Sequence, residues 1–365
     1  MAEIKLESVA KTFGTFTAVK AVNFTVDQGS FFVILGPSGC GKTTTLRMIA
    51  GLELPTIGRI LLDGQDVTAS PASARDIAFV FQLFALYPHM NVRQNIAFPL
   101  RCQNYSRAEI RKSVEEAAKL LRIDHLLDRR VSGISGGDRQ RVALGRAIVR
   151  RPKAFLMDEP LGALDSEFRR VMCGELRELH DRIDATSVYI THDQLEAMAM
   201  ADRIAIMNQG RIEQIGTPQE IYDRPKTMFV ADFIGAPPMS FLKVHTTLRK
   251  GDRTIKVDGV KVEMPELLED RAEGEFAVGV RPENVLFADS SQLRGCVIGA
   301  EYLGTTQIVT VTTANGQVKA RLSSGKAVQV GETVGLRLRA DRLSVFDAMS
   351  GHVLSSALYA GGRGG

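Results

Sequence analysis

Residues 36–44 combine residue types that bind phosphate groups. The segment reads GPSGCGKTT and follows a strand-length apolar run, Phe31–Leu35. Glycines let the backbone curl so that its N–H groups point at an anion, and a helix beginning there adds its dipole. In the phosphate-binding loop that this pattern matches, lysine reaches the β- and γ-phosphates and the next hydroxyl binds Mg²⁺. We therefore predict a nucleotide site formed by Gly36, Pro37, Ser38, Gly39, Cys40, Gly41, Lys42, Thr43 and Thr44, with Thr43 also on the metal.

A pair of carboxylates follows a second apolar run. Asp158 and Glu159 come directly after Phe155-Leu156-Met157. Two adjacent acids at a strand end are often only a solvated turn, but beside a nucleotide loop on the same sheet the functional interpretation is favoured. Asp158 is then placed to hold Mg²⁺ through water, and Glu159 to orient or deprotonate an attacking water.

A third segment, Ser135-Gly136-Gly137-Asp138, has the character of a helix start. Ser135 is a good N-cap, and the two glycines expose backbone N–H groups there. The segment is either a plain helix cap or a second anion site. Within one chain a second anion site is redundant, because the first loop already binds phosphate.

The elements that carry these residues predict an α/β core. Residues 31–35, 154–157 and 187–190 are continuous apolar runs, which are typical of buried parallel strands. Each is followed by polar residues and then by a helical pattern, which places the site at the strand C-termini. Antiparallel strands with hairpin turns are predicted around Ile4, Leu6 and Val9, over residues 19–26, and over residues 59–62 before Asp63-Gly64.

A helical insertion and a β-rich second half complete the predicted organisation. Residues 92–150 contain no good strand, and Ser106 with Glu109 forms a capping box. The double proline Pro237-Pro238 predicts a boundary, with one domain over 1–235 and a second over 236–365. Regular strand spacing in the second domain predicts one or two small barrels. The strand candidates are residues 241–247, 253–263, 276–280, 293–300, 306–313, 317–322, 333–339 and 343–346.

Composition excludes several classes of protein. The 365 residues carry 46 Lys and Arg against 42 Asp and Glu, a net charge of +4, which is too even for a nucleic-acid partner. Cys40, Cys102, Cys173 and Cys296 lie far apart, so neither a zinc site nor a disulfide framework is predicted. No stretch approaches the roughly 20 apolar residues of a membrane span. The N-terminus also lacks the apolar core of a signal peptide.

Four motifs together resemble the ATP-binding-cassette (ABC) ATPase family. They are the phosphate loop, ISGGDRQRVALGRAI from Ile134, FLMDEP from Phe155, and Ile190-Thr191-His192-Asp193. ISGGD is similar to the LSGGQ signature of that family. The resemblance implies head-to-tail homodimers in which Ser135, Gly136, Gly137 and Asp138 of one copy close on the ATP held by the other. That would explain the redundant anion site.

The resemblance also implies a role for each remaining position. The implied cofactors are ATP and Mg²⁺. The implied fold is a RecA-like core with an antiparallel β subdomain and a helical subdomain over about 84–152. The implied roles are general base for Glu159, γ-phosphate contact for His192, metal and water sensing for Gln82, Mg²⁺ binding by Thr43, Gln82 and Asp158, adenine stacking for Phe13, and contact with the partner cassette for Asp165.

The second half narrows the resemblance to importers. Three segments are similar to those of importer ATPases of the maltose and glycerol-3-phosphate type: the linker from Phe233 to Leu242, Val280-Arg281-Pro282-Glu283, and Phe346-Asp347-Ala348. This resemblance implies a C-terminal OB-like (TOBE/MOP-type) regulatory domain. Implied partners are two transmembrane permease subunits and an extracytoplasmic solute-binding protein, with this chain on the cytoplasmic face of the membrane. Polyamine or iron importers remain alternatives, as do a soluble ABC ATPase acting on nucleic acid and, more remotely, a P-loop kinase.

The signature segment departs from the usual pattern of the family at its last position. Asp138 stands where the signature usually has glutamine, and Arg139 and Arg141 are close enough in sequence to offset its charge. We therefore expect an altered rate of ATP hydrolysis and retained activity.

Residues 83–104 are apolar for a loop, which indicates either buried packing or a groove for a short helix of the membrane subunit.

Overall fold

The computed structural model describes residues 1–82, 84–162, 164–183 and 185–360, so Leu83, at the start of the apolar segment 83–104, lies outside the described residues. Two compact units are formed, Met1–Pro218 and a second that begins at Gln219. The sequence places its boundary later, at residue 235. Residues 219–235 join the second unit because polar contacts described below tie them to it.

The first unit alternates strands and helices around a central sheet. Its elements are, in chain order, β1 (Ile4–Phe13), β2 (Phe16–Val26), β3 (Phe31–Leu35), α1 (Lys42–Ala50), β4 (Ile57–Leu62), β5 (Gln65–Asp66), β6 (Ile77–Val80), α2 (Val92–Cys102), α3 (Arg107–Leu120), α4 (Gly136–Ile148), β7 (Ala154–Asp158), α5 (Ser166–Ile183), β8 (Thr186–Thr191), α6 (Gln194–Met200), β9 (Arg203–Asn208) and β10 (Arg211–Gly216).

The central sheet has six strands in the order β10-β9-β3-β8-β7-β6. β3 pairs in parallel with β8 and β9, and β7 pairs in parallel with β6 and β8. Every residue of β3, β7 and β8 is buried, which explains their continuous apolar sequences. The phosphate loop follows β3, the two acids follow at the end of β7, and His192 follows β8, so all three lie at one edge of the sheet.

An antiparallel sheet and a helical subdomain flank this core. The sheet has the order β2-β1-β4-β5. Asp63 and Gly64 both have positive φ between β4 and β5, as an Asp-Gly hairpin turn requires. Residues 92–150 contain α2, α3 and α4 and no strand, and the predicted capping box at Ser106 is present.

The second unit is mainly antiparallel β. Its elements are α7 (Pro218–Asp223, whose first residue closes the first unit), α8 (Met228–Phe233), β11 (Ser240–Leu248), β12 (Thr254–Val257), β13 (Val260–Glu263), β14 (Arg271–Val280), β15 (Val285–Phe287), β16 (Arg294–Tyr302), β17 (Thr306–Thr313), β18 (Gly316–Ser323), β19 (Thr333–Leu338), β20 (Ser344–Asp347) and α9 (Ala357–Ala360). Its largest sheet has the order β15-β19-β16-β17-β18. The candidate 253–263 is a hairpin and not one strand, because Asp258 and Gly259 turn the chain with positive φ.

Arg281 joins the helices of the second unit to its strands. This side chain is only 3% exposed. Its guanidinium donates to the carbonyls of Ala231 and Ile234, and to that of Tyr222 at 2.9 Å. Burial lowers its pKa. These bonds hold residues 222–234 on the β-rich unit. None of the helices in the described part of the chain is long and apolar enough to cross a membrane.

Candidate nucleotide site

The loop between β3 and α1 has a backbone that only glycine can follow at two points. Gly41, which caps α1, has φ 110°, in the left-handed region. A Cβ added at Gly41 would lie 2.6 Å from the carbonyl oxygen of Ala18, and one added at Gly36 would lie 2.1 Å from that of Met207. Both atoms belong to the backbone and cannot give way cheaply. The loop is therefore packed tightly against neighbouring strands, with its amides at the start of α1.

Lys42 lies inside this loop and is 4% exposed. Its Nζ donates to the carbonyl oxygens of Gly36 at 2.8 Å and Pro37 at 3.0 Å. A buried ammonium held by neutral carbonyls is a strong attractor for a phosphate group, because the low local dielectric strengthens the charge interaction. Cys40 is also buried, and burial raises the pKa of its thiol, so it is a packing residue and a poor nucleophile.

Thr43 and Asp158 meet across the sheet edge. The hydroxyl of Thr43 lies 3.3 Å from Oδ1 of Asp158. Asp158 is 8% exposed, and this burial raises the pKa of its carboxyl against the opposing effect of the Thr43 bond. The described residues contain no cluster of three or more acidic, histidine or cysteine ligands. One buried carboxylate beside one hydroxyl still fits Mg²⁺ bound to a nucleotide, because Mg²⁺ takes few protein ligands and keeps waters and phosphates.

Burial of the Asp158 charge predicts that this residue destabilises the protein without nucleotide. A raised carboxyl pKa means that the cost of the charge is present at alkaline pH and absent once the group is protonated. Asp158→Asn removes that charge at nearly constant shape. We expect it to raise Tm at alkaline pH by about 1–4 °C, a gain that vanishes as pH falls through the acid range. Thermal melts across pH measure this, and a lower Tm at alkaline pH would contradict the assignment.

Glu159 and His192 form the second contact of the site. Nδ1 of His192 lies 3.1 Å from Oε2 of Glu159. Glu159 has φ 44°, in the left-handed region, and its N–H donates to the carbonyl of Ile190 at 3.1 Å. A non-glycine residue held in this conformation is strained, and such strain often accompanies function. Gln82 and Glu159 both lie beside Gly162. A Cβ added at Gly162 would lie 3.6 Å from Nε2 of Gln82 and 4.0 Å from Cβ of Glu159.

Ser135 caps α4, as its sequence predicts. Its Oγ accepts from the N–H of Asp138 at 3.1 Å and donates to Oδ2 of Asp138 at 2.7 Å. Arg141 lies 3.7 Å from Oδ1 of Asp138 and also binds Glu175 at 2.9 Å. Of the two arginines that the sequence offered to offset the negative charge of Asp138, Arg141 is the one that lies beside it. A Cβ at Gly137 would lie 2.2 Å from the ring of Phe168, so that ring explains the second glycine.

The remaining predicted residues are placed at the edges of the unit. Asp165 is exposed, and its Oδ1 accepts from the N–H of Phe168 at 2.9 Å, so it caps the N-terminus of α5. Phe13 ends β1 and is 46% exposed, with the ammonium of Lys11 4.8 Å from its ring centroid. Over the described ranges, no hydrogen bond or ion pair joins Ser135 or Asp165 to the loop at 36–44.

Three polar residues near His192 were given no role from the sequence, although Asp193 belongs to the motif that contains the histidine. Arg169, Asp193 and Glu196 form ion pairs beside the histidine. Asp193 caps α6 through the N–H groups of Leu195 and Glu196, and this cap is the one signal that the sequence offered. Arg169 comes from a different helix, so only the tertiary structure shows that it reaches this segment.

Comparison with known proteins identifies the family. Residues 19–162 match the ABC transporter family and residues 278–346 match the TOBE domain. The trehalose import ATP-binding protein SugC of Mycobacterium tuberculosis is 43% identical over 96% of this chain and 98% of its own length. The chain belongs to the ATP-binding proteins of ABC transporters. It is thus a transport ATPase that binds ATP, and the predicted family, fold class and enzyme class are confirmed.

Other relatives of this ATP-binding protein are named for related solutes. The sn-glycerol-3-phosphate import ATP-binding protein UgpC 3 of Rhizobium etli is 43% identical over 96% of this chain and 99% of its own. The sulfoquinovosyl glycerol transport ATP-binding protein SmoE of Agrobacterium fabrum is 42% identical over 95% of this chain and 98% of its own length. The solved structure of cbiO1 from Clostridium perfringens, part of the transporter complex cbiONQ, covers 60% of this chain and 89% of its own at 29% identity and a TM-score of 0.57.

Proposed function

We propose that this chain hydrolyses ATP as a head-to-tail homodimer and thereby drives an importer of polyhydroxylated solutes. The observation that carries the proposal is the geometry at one sheet edge. The buried Lys42, the Thr43–Asp158 contact and the Glu159–His192 contact all follow parallel strands of one sheet. In an open α/β sheet, ligands bind outside the carboxyl ends of the strands.

Each residue at this edge has a distinct role in the proposal. Lys42 and the loop amides bind the β- and γ-phosphates, and Phe13 stacks on adenine. Thr43, Asp158 and Gln82 would hold Mg²⁺, which neutralises phosphate charge when bound. Glu159 takes a proton from the attacking water, and His192 holds the γ-phosphate so that water and phosphorus stay aligned.

A second copy completes the site in this proposal. Ser135, with the amides of Gly136 and Gly137, faces the γ-phosphate held by the partner, while Asp165 contacts the opposite copy. Helix starts of this kind favour anions through their N–H groups and dipole. ATP then contacts both copies only in the closed dimer, so it shifts the population toward closure. Hydrolysis removes that differential binding and lets the dimer open.

An apolar groove beside the helical subdomain suits the membrane partner. The groove has a volume of about 520 Å³, and its lining includes Leu52, Phe79, Phe81, Tyr87, Phe98 and Ala147. Arg146 holds one wall by donating to the carbonyls of Ala85 at 2.7 Å and Phe84 at 2.9 Å. A short amphipathic helix of a permease subunit fits such a groove through apolar anchors. The proposed assembly has two permease subunits and an extracytoplasmic solute-binding protein, with this chain on the cytoplasmic face.

The proposed solute is a sugar, a polyol or a glycerol phosphate. It rests on the relatives named for trehalose, sn-glycerol-3-phosphate and sulfoquinovosyl glycerol. In the proposed assembly the solute does not touch this chain, so its own residues cannot select among these compounds.

Asp138 is predicted to modulate the rate of ATP hydrolysis without being required for it. The carboxylate is held by Ser135 and partly offset by Arg141, which lies 3.7 Å away and also pairs with Glu175. Asp138→Gln removes a negative charge close to the proposed γ-phosphate, so we expect turnover to rise by about two- to fivefold. Steady-state phosphate release measures this. Activity several-fold lower in the variant would show that the aspartate itself is required.

Solute uptake in cells tests the importer proposal. The gene is deleted, and uptake of radiolabelled trehalose, maltose and glycerol-3-phosphate is compared with that of cells given back the wild-type chain or its Glu159→Gln variant. We expect uptake of at least one such solute to be lost and to return only with the wild-type chain. Unchanged uptake of every polyhydroxylated solute, with lost uptake of a polyamine or iron, would contradict the solute class.

A further inference from the structure

A buried polar cluster lies directly behind the histidine. Glu196 is 3% exposed, and one of its oxygens, Oε2, accepts from the hydroxyls of Tyr189 at 2.7 Å and Thr191 at 2.6 Å. Burial raises the pKa of Glu196, while these two bonds lower it. The hydroxyl of Thr191 also accepts from the N–H of Asp193 at 3.0 Å. His192 is therefore held between two residues that the cluster fixes.

Arg169 connects this cluster to the loop before α5. Its Nη1 donates to Oδ2 of Asp193 at 2.9 Å, and its Nη2 donates to the carbonyl of Leu164 at 2.9 Å. Its Nε lies 3.6 Å from Oε1 of Glu196. One rigid guanidinium thus donates to two acceptors on two segments of chain, at 164 and at 193, and forms a longer ion pair with Glu196. A lysine could not do this, because a single ammonium lacks the planar fork.

This connection has a mechanical consequence. Leu164 is the neighbour of Asp165, the residue proposed to contact the second copy, and Asp193 is the neighbour of His192. When the loop at 164–165 moves, Arg169 must either carry Asp193 with it or lose a charge-assisted hydrogen bond. Such bonds are about twice as strong as neutral ones, so transmission is favoured over breakage.

We propose that Arg169 is a positioning residue that makes the placement of His192 depend on the loop Leu164-Asp165. The γ-phosphate contact in one site then depends on whether that loop is seated against the second copy. This inference rests on the proposed function and adds a residue that its machinery did not include. Arg169 need not touch ATP, because it acts through the backbone on either side of His192.

Arg177 supplies a matched control on the same helix. Its guanidinium donates to the carbonyl of Met200 at 3.0 Å and to Asp202 at 2.9 Å, and it pairs with Asp181 at 2.8 Å. Arg169→Met and Arg177→Met therefore remove similar sets of contacts from α5. Only the first set includes the segment that carries His192. A purely structural role predicts similar effects of both variants on kcat and Tm.

The test compares the full-length variants in steady-state ATPase assays. We expect Arg169→Met to lower kcat by about 10- to 100-fold with little change in the KM for ATP, because misplaced catalytic groups cost rate more than binding. Arg169→Lys should recover part of the loss. Arg177→Met should keep the parental kcat even where its Tm falls equally. Equal effects of both methionine variants on kcat would overturn the proposal.

A double variant tests the transmission itself. Asp165→Ala should lower kcat in the parental chain, and should add no more than about twofold in the Arg169→Met background. Additive effects would overturn the coupling. Failure of the proposed function would give a different result. The parental chain would then show either no ATP hydrolysis or hydrolysis that Glu159→Gln leaves unchanged.

Discussion

Glu159→Gln is expected to lower ATP turnover by about 100-fold or more, since loss of a general base costs that much in positioned proton transfer. Glutamine keeps the size and one oxygen of the side chain, so the contact with His192 and the left-handed backbone at residue 159 can persist. ATP affinity should stay the same, because the phosphates are bound by the loop at 36–44. The variant should therefore accumulate the ATP-bound closed dimer. Single-turnover assays and ATP-binding titrations measure these quantities separately.

Glu116→Gln is the control for this substitution. Glu116 lies in α3 and forms an exposed pair with Arg151 at 3.4 Å. Exposed pairs contribute little to stability, so this variant should behave as the parent. Turnover near the parental rate in Glu159→Gln would remove Glu159 from the role of base.

Lys42→Met is expected to weaken ATP binding by about 10- to 100-fold, the value of one hydrogen bond to a charged group. Hydrolysis should fall below detection, because the variant also loses the charge that stabilises the β- and γ-phosphates. Methionine fills most of the space of the lysine, so the carbonyls of Gly36 and Pro37 lose their donor without a large cavity forming. Titration with a fluorescent ATP analogue measures the affinity, and Tm without nucleotide checks the fold.

Lys153→Met is the matched control for Lys42→Met. Lys153 precedes β7, and its Nζ lies 3.6 Å from Asp63 on a solvated surface. The control should bind and hydrolyse ATP as the parent does. If Lys42→Met still bound ATP with parental affinity, the loop at 36–44 would not be the phosphate site.

The sequence predicts the central strands well because they are buried on both faces. β3, β7 and β8 are continuous apolar runs, and each ends at a polar motif. β6, β9 and β10 are not predicted. β10 is partly exposed, so it offers no continuous apolar run. β6 is a four-residue apolar run that lacks a glycine-rich or acidic motif directly after it, unlike β3 and β7. In the second unit, β15 has only three residues, too few to show an alternation.

The residues of the candidate site also fall into those that the sequence predicts and those that it does not. Lys42, Thr43, Asp158 and Glu159 are predicted because fixed spacing after a strand encodes their chemistry. Arg169 is not, because its partners lie 24 and 27 positions further along the chain and meet it only through the packing of α5 on α6. Arg281 shows the same limit. Its motif, Val280-Arg281-Pro282-Glu283, carries only the resemblance to the importer type, whereas its hydrogen bonds to the carbonyls of residues 222–234 depend on the tertiary structure.

The central claim is that two copies share each ATP, and one cross-linking measurement tests it. One chain carries Ser38→Cys and a second, differently tagged chain carries Ser135→Cys, both with Glu159→Gln and with the exposed Cys102 replaced by serine. Cys40 remains, since it is buried with a raised thiol pKa, and the parent without added cysteines gives the background. With a short bifunctional maleimide, ATP should produce the mixed cross-linked dimer, and omission of ATP should abolish it. Cross-links only between two copies of Ser135→Cys, or none above background with ATP, would contradict the shared site.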